Sequence, residues 1–326
     1  MRGLPLLLTV AACGYHPGVG NAPTGDALEA DGPAMPDADD AFVGPTASAC
    51  VEKWLAGTMT FTTPAFLRSN GGALVSFSQE RDPFLSSDEL VLFFTKPGSG
   101  GDTDVMFAAR DSQTADFNTP TTATSLVDSN QDDGKITMTG NDLTVIVASS
   151  RSGGDGNTDL WQATRTSAGI TAFPPLDQMF LAGVNDADHQ QDPFLSGDGL
   201  HLYLAVGSPQ RIVMASRSVG LASFSAPAEI PNIGDAAGDA DPTLSGDERV
   251  IVFASNRQGE GGTDLWYATR PEKDQPFSTP IALAEINTSD NDSDPHLSAD
   301  GCHLYFASTL DPQGSDFDLF FVQQDP

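Results

Sequence analysis

Asp82-Pro-Phe-Leu-Ser-Ser-Asp88 returns as Asp192-Pro-Phe-Leu-Ser-Gly-Asp198, as Asp241-Pro-Thr-Leu-Ser-Gly-Asp247 and as Asp294-Pro-His-Leu-Ser-Ala-Asp300. A worn copy, Lys135-Ile-Thr-Met-Thr-Gly-Asn141, stands between the first two. The starts at 82, 135, 192, 241 and 294 lie 53, 57, 49 and 53 residues apart. A period of about 50 residues belongs to propeller arrays rather than to helical solenoids, whose repeats are about 34 residues long.

Each copy continues in the same order. An apolar run follows, at 90–94, 143–149, 200–204, 250–255 and 304–308. These runs are short and rich in β-branched and aromatic residues, which predicts strands buried on both faces. A Gly/Asp-rich stretch such as Gly259-Glu-Gly-Gly-Thr263 comes next, then a second strand starting near Asp104, Asp159, Ile212, Asp264 and Asp318. Four of these end at Arg110, Arg165, Arg217 and Arg270, and a Phe-x-x-Pro stretch follows at Phe117, Phe224 and Phe277. No apolar period of 3.6 residues is sustained, so each unit reads as about four short strands. Such a sheet is apolar on both faces and is stable only when stacked around a central axis. The fold class is therefore all-β, a β-propeller of four-stranded blades.

The ring has to close. The last copy stops after its strand at 318–322, while Phe61-Thr-Thr-Pro64 matches Phe277-Ser-Thr-Pro280 and Leu74-Val-Ser-Phe77 precedes Asp82. N-terminal strands are thus expected to complete the final blade. This gives five blades, or six if residues 50–81 build an irregular blade of their own.

The pattern Asp-Pro-x-Leu-Ser-x-Asp, apolar strand, Ser-x-Arg, Gly-rich turn, Asp-Leu-Trp resembles the WD-repeat-like propeller repeats of the TolB type, over roughly residues 58–326. The resemblance implies a propeller, located in a bacterial envelope, that acts mainly as a binding platform.

The N-terminus supplies an address. One Arg precedes an apolar stretch from Leu4 to Ala12, too short for a bilayer span of about 20 residues. Val10-Ala11-Ala12-Cys13 resembles the lipobox of bacterial lipoproteins, which implies a signal segment at 1–13 and lipidation of Cys13. Gly14 after the Cys resembles the sorting pattern that favours the outer membrane. Residues 14–49 are rich in Pro, Gly, Ala and Asp and read as a disordered acidic tether. The propeller then occupies 50–326. The membrane would be met only through the lipid.

Charge narrows the partners. The chain has 326 residues, 45 acids and 15 bases, for a formal charge of −30. This balance excludes a binder of nucleic-acid backbones, which needs Lys and Arg to displace counterions. Cys50 and Cys302 remain once Cys13 is assigned. Cys50 precedes the clasp and Cys302 lies in the blade the clasp completes, so a disulfide between them would pin closure.

Equivalent positions of a propeller converge on its axis. Asp82, Asp192, Asp241 and Asp294 are expected to ring one mouth of the channel, with Glu80, Asp239 and Asp292 adding charge. The ring is a candidate site for a ligand or for Ca2+, which takes oxygen ligands. Pro restricts the residue before it to extended backbone, so these Asp residues are expected to be extended. Arg151 and Arg257 are expected to pair with Asp159 and Asp264 across a hairpin. The run from Asp128 to Gly134 departs from a calcium loop in the place of its Gly and in lacking a closing Glu.

No Gly-x-Ser-x-Gly elbow and no His-Glu-x-x-His occurs, and the five His are scattered. His201 and His303 fall at like positions of two blades, which points to structural roles. The expectation is a monomeric, non-enzymatic envelope lipoprotein that binds a protein or glycan, with no cofactor. Two alternatives stand beside it. One is a glycoside hydrolase or lyase using channel carboxylates, a pair of which would need to be ~5–10 Å apart. The other is a Ca2+-dependent adhesion module.

Overall fold

A computed structural model describes residues 48–74, 79–98, 100–126, 130–168, 172–220, 222–310 and 316–325. Cys13, the signal segment and the tether up to residue 47 fall outside the described residues, as do 75–77 of the strand expected before Asp82 and 127–129 of the calcium-like run.

The chain forms five blades. Blade I runs outward through Arg81–Leu85, Val91–Pro97, Thr103–Ala109 and Thr121–Thr122. Blade II has Asp133–Met138, Thr144–Ser149 and Asp159–Thr164, with Asp177 bridged to Gln162 at its outer edge. Blade III has Gln190–Leu195, His201–Val206, Arg211–Ser216 and Ala228–Glu229. Blade IV has Asp239–Leu244, Val250–Ser255, Asp264–Thr269 and Ile281–Ala282. Blade V has Asp292–Leu297, His303–Ser308 and Asp318–Gln323, and its fourth strand is Ala65–Phe66 from the other end of the chain. All pairings within the blades are antiparallel. Each innermost strand touches the next around the axis, the fifth touching the first.

The clasp has the register that the sequence match requires. Ala65 and Phe66 face Phe321 and Phe320, as Ile281 and Ala282 face Tyr267 and Trp266 in blade IV. One helix joins it, α1 (Ala49–Ala56), which the sequence reading had not drawn. Ser48 caps it by accepting from Val51 N, and Gly57 ends it in the left-handed region at φ 65°. Its Val51 and Trp54 are buried against Leu304, Phe306 and Phe320 of blade V and Tyr267 of blade IV. Cys50 of α1 and Cys302 of blade V are joined by a disulfide with Cα atoms 5.2 Å apart.

The recurring letters of the repeat have mechanical explanations. In Ser-x-Asp, the serine hydroxyl donates to the aspartate 2.6 Å away in blades I, III, IV and V, and Thr139 donates to Asn141 at 2.7 Å in blade II. The same carboxylate caps the backbone N–H two residues on, which closes the turn to the second strand. The residue after the aspartate or asparagine is left-handed in every blade, with φ between 56° and 72° at Glu89, Asp142, Gly199, Glu248 and Gly301. The Arg ending the third strand donates through Nε to the carbonyl of that residue, at 2.6–2.8 Å, and lies over the Phe of Phe-x-x-Pro or its blade II counterpart Phe173. Blade V has Gln324 in place of Arg. There, Gln324 Nε2 and Trp54 Nε1 each donate to Gly301 O at 2.9 Å, and Trp54 packs on Phe61.

Two local expectations are corrected. Arg151 and Arg257 pair with Asp133 and Asp239, at 2.6 and 2.7 Å, and not with Asp159 and Asp264. The guanidinium reaches back to the start of the innermost strand because Ser149 and Ser255 accept its Nε first. The Asp of Asp-Pro is not extended. Asp82, Asp192, Asp241 and Asp294 have φ of 52–54°, each inside a β-bulge of the innermost strand. Proline restrains the residue before it against the right-handed helical region, and the left-handed region satisfies that restraint too.

Candidate functional site

The bulge has a consequence for function. It breaks the alternation of the innermost strand at the same place in all five blades, next to the channel axis. One carboxylate oxygen each from Asp82, Asp192 and Asp241 lies within 4.8 Å of the others. Asp294 joins them on the wall of one channel cavity of about 450 Å³. The fifth equivalent position is the worn copy, where Lys135 takes the place of Asp. Its ammonium is buried, 3.8 Å from Asp241 and 3.4 Å from Pro295 O. The mouth is thus four carboxylates and one lysine around a five-fold slot.

Each member has a different setting. Arg81 Nε donates to Asp294 at 2.8 Å, and Ser293 donates to the same oxygen at 3.0 Å. Thr95 donates to Asp82 at 2.8 Å, and Gln210 to Asp192 at 3.4 Å. Asp241 has the distant Lys135 contact. Burial, followed by the charges of Asp294 and Asp192, pushes the Asp82 carboxyl up to about 7. Asp241 is also raised well above its ordinary value, by burial and then by Asp192 and Asp294. Burial raises Asp192 as well. Burial acts the same way on Asp294, but the Arg81 guanidinium outweighs it and holds that carboxyl below the usual range. Like charges this close cannot all ionise, and the one with the guanidinium keeps its charge.

Asp239 and Asp292 are engaged outside this ring. Asp239 is consumed by Arg257, and Asp292 accepts from Thr288 in its own loop. Two members escaped the sequence reading. Lys135 was visible as the odd residue of an otherwise acidic column. Arg81 gave no periodic signal, since only blade I carries a cation at that place.

The opposite mouth is different in kind. A cavity of about 310 Å³ there is walled by Phe84, Met138, Phe194, Leu244 and His296. His296 Nε2 accepts from Leu85 N at 3.3 Å, which requires a neutral ring, and burial drives its pKa down to about 3.

No family model matches the chain, and no curated protein matches it. Solved structures do, by fold. The catalytic domain of a GH62 α-L-arabinofuranosidase from Coprinopsis cinerea has a TM-score of 0.55 at 11% identity, over 82% of this chain and 96% of that one. A GH62 α-L-arabinofuranosidase from Podospora anserina, in complex with cellotriose, gives 0.52 at 10% identity, over 82% and 96%. TolB from Acinetobacter baumannii gives 0.45 at 12%, over 77% of this chain and 56% of that one, so the chain spans just over half the length of that protein. The shared feature is the β-propeller.

These neighbours correct one expectation. The lack of a linear catalytic motif underlies the expectation of a non-enzymatic protein, and it does not exclude enzymatic activity in this fold. Several structures of the same fold, the GH62 enzymes and a family-43 glycoside hydrolase among them, are hydrolases. In a propeller, groups that meet at the axis come from different blades. A catalytic set can therefore be spread over the whole chain and leave no local motif.

Proposed function

We propose that this protein binds a glycan at the acid mouth of its channel while held to a bacterial envelope by a lipid on Cys13. The observation that carries the reading is the convergence of Asp82, Lys135, Asp192, Asp241 and Asp294 on one cavity of about 450 Å³. Sugar hydroxyls both donate and accept, so they suit a wall that alternates carboxylates with an ammonium and the amides of Gln191 and Gln210. The cellotriose complex formed by one neighbour of the same fold is in keeping with that ligand class. An envelope protein presenting polar side chains is the other partner such a mouth would accept, as the TolB-type resemblance implies.

A second reading has an observation of its own. Asp82, raised to about 7, shares the mouth with Asp294, which Arg81 keeps ionised. A proton donor beside a fixed carboxylate is the pairing that glycoside hydrolysis requires.

One experiment addresses both. The purified protein is titrated with cello- and xylo-oligosaccharides, and released sugar is measured in parallel. Binding that falls at least about tenfold in Asp241→Asn, without sugar release, supports the binding platform. Release that vanishes in Asp82→Asn while binding persists supports the hydrolase. Binding unaffected by either substitution removes the channel mouth from both readings. For the address, labelled palmitate incorporated by the native chain and not by Cys13→Ser is the expected result. A native chain that stays unlabelled would sink it.

A further inference from the structure

Two blade junctions carry the same buried cluster. Between blades III and IV, Glu248 receives His201 Nδ1 at 2.9 Å, Tyr203 Oη at 2.8 Å and Arg270 Nη2 at 3.5 Å. Between blades V and I, Glu89 receives His303 Nδ1 at 3.1 Å and Tyr305 Oη at 2.6 Å, with Arg110 Nη2 at 3.8 Å. Both glutamates sit at the left-handed turn position where blades III and V have Gly. A nearby aspartate from the preceding blade's turn, Asp198 in one junction and Asp300 in the other, completes each set.

The two copies differ by one cation. At the III–IV junction, Lys273 places its ammonium between the acids, 2.9 Å from Asp198 Oδ2 and 2.6 Å from Glu248 Oε1. The residue in the same place after Arg110 is Gln113, whose amide turns to Asp88 O at 3.1 Å. No lysine or arginine pairs with Asp300 among the described residues. Yet the acids stay together, since one oxygen of Glu89, one of Asp300 and a ring nitrogen of His303 lie within 4.8 Å of one another. Asp300 Oδ1 is fixed by Ser298 and by Cys302 N, which orients the carboxylate.

We propose that the V–I junction binds a divalent transition-metal ion through Glu89, Asp300 and His303, at the spot that Lys273 fills in the sister junction. Two carboxylates and an imidazole are a donor set for Zn2+, whose fourth ligand in such three-residue sites is water. The sister junction is the internal control. There an ammonium bridges the two acids, whereas at the V–I junction Arg110 reaches Glu89 alone and the place between Glu89 and Asp300 receives no Lys or Arg among the described residues. The ion would tie blade V, which contains the clasp, to blade I. This site is remote in kind from the channel mouth, and the inference does not depend on the proposed function.

The test uses the full chain, stripped with chelator and titrated calorimetrically with Zn2+ alone. One ion per chain is expected, with a rise in melting temperature. Gln113→Lys, an exposed substitution that copies the sister junction, is expected to weaken binding by about tenfold or more and to leave the apo melting temperature intact. Lys273→Gln is expected to raise the stoichiometry to two. Binding that is absent in the native chain, or undiminished in Gln113→Lys, overturns the proposal. The second outcome would assign the ion to exposed histidines such as His189.

Discussion

Asp82 is desolvated beside three other carboxyls, and burial and like charge together set a pH dependence. The folded chain keeps the Asp82 proton up to about pH 7, whereas the unfolded chain releases it near the ordinary 3.8. Between those values the folded state binds more protons, so this group lowers stability as pH rises. Asp241 and Asp192, also raised, act with the same sign. His303, raised by its bond to Glu89, adds stability below its unfolded value that is lost as pH rises. Glu89 and Glu248 act oppositely. Burial opposes it, but their histidine bonds depress them below 4.5, so their contribution is lost as pH falls through the acid range. Melting temperature should therefore climb from pH 8 to about pH 5.5 and drop below about pH 4. In Asp82→Asn/Asp241→Asn the climb should flatten to the remainder from Asp192, His303 and the other raised carboxyls, Asp142 and Asp292 among them. Calorimetry across pH checks this, and an unchanged slope in the double variant would refute the assignment. At the same scale, Glu248→Gln should cost about 3–5 kcal/mol in urea unfolding, because Arg270 and Lys273 lose a buried counter-charge. Sequence reading could identify the column of four Asp because it repeats. It could not see Glu89 and Glu248 as a pair of latches, since their histidine and tyrosine partners lie 45 and more residues away on another blade.

Strands were legible element by element for a simple reason. Each second strand is buried on both faces, and such strands read as unbroken apolar runs. The bulge was not legible, because a left-handed Asp before Pro leaves the hydrophobic pattern unchanged. Nor was α1, an eight-residue helix whose stability comes from Trp54 and not from its own propensity. Trp54 Nε1 donates to Gly301 O, so the helix does in blade V what Arg does in the other four. Trp54→Ala should thus cost about 3–5 kcal/mol, a core-cavity value. Loss of the Cys50–Cys302 link through Cys50→Ser should cost about 2–4 kcal/mol. Because both act on one clasp, their effects should not add. A double variant whose loss equals the sum of the single losses, by urea unfolding, would mean that helix and disulfide hold independent parts of the molecule.

At the scale of the whole ring, closure is the one contact that no repeat can provide for itself. Blades I to IV draw all their strands from contiguous sequence, whereas blade V borrows Ala65–Phe66 and, through α1, a share of its core. Repeat arrays gain stability from neighbours, so an unclosed end exposes a blade face and weakens each junction inward from it. Deleting residues 1–66 removes the fourth strand of blade V and uncovers Phe320, Phe306 and Leu304. The expected product is aggregated protein on gel filtration, with reduced β signal in circular dichroism. The damage should be local in cause, since every remaining repeat is intact. A synthetic peptide spanning residues 48–74, added in excess during refolding, should therefore restore a monomeric peak by reoccupying the clasp. A truncated chain that is monomeric and melts like the full one would mean that five blades close without the borrowed strand. The seam at blade V would then be an ornament of the fold and not its lock.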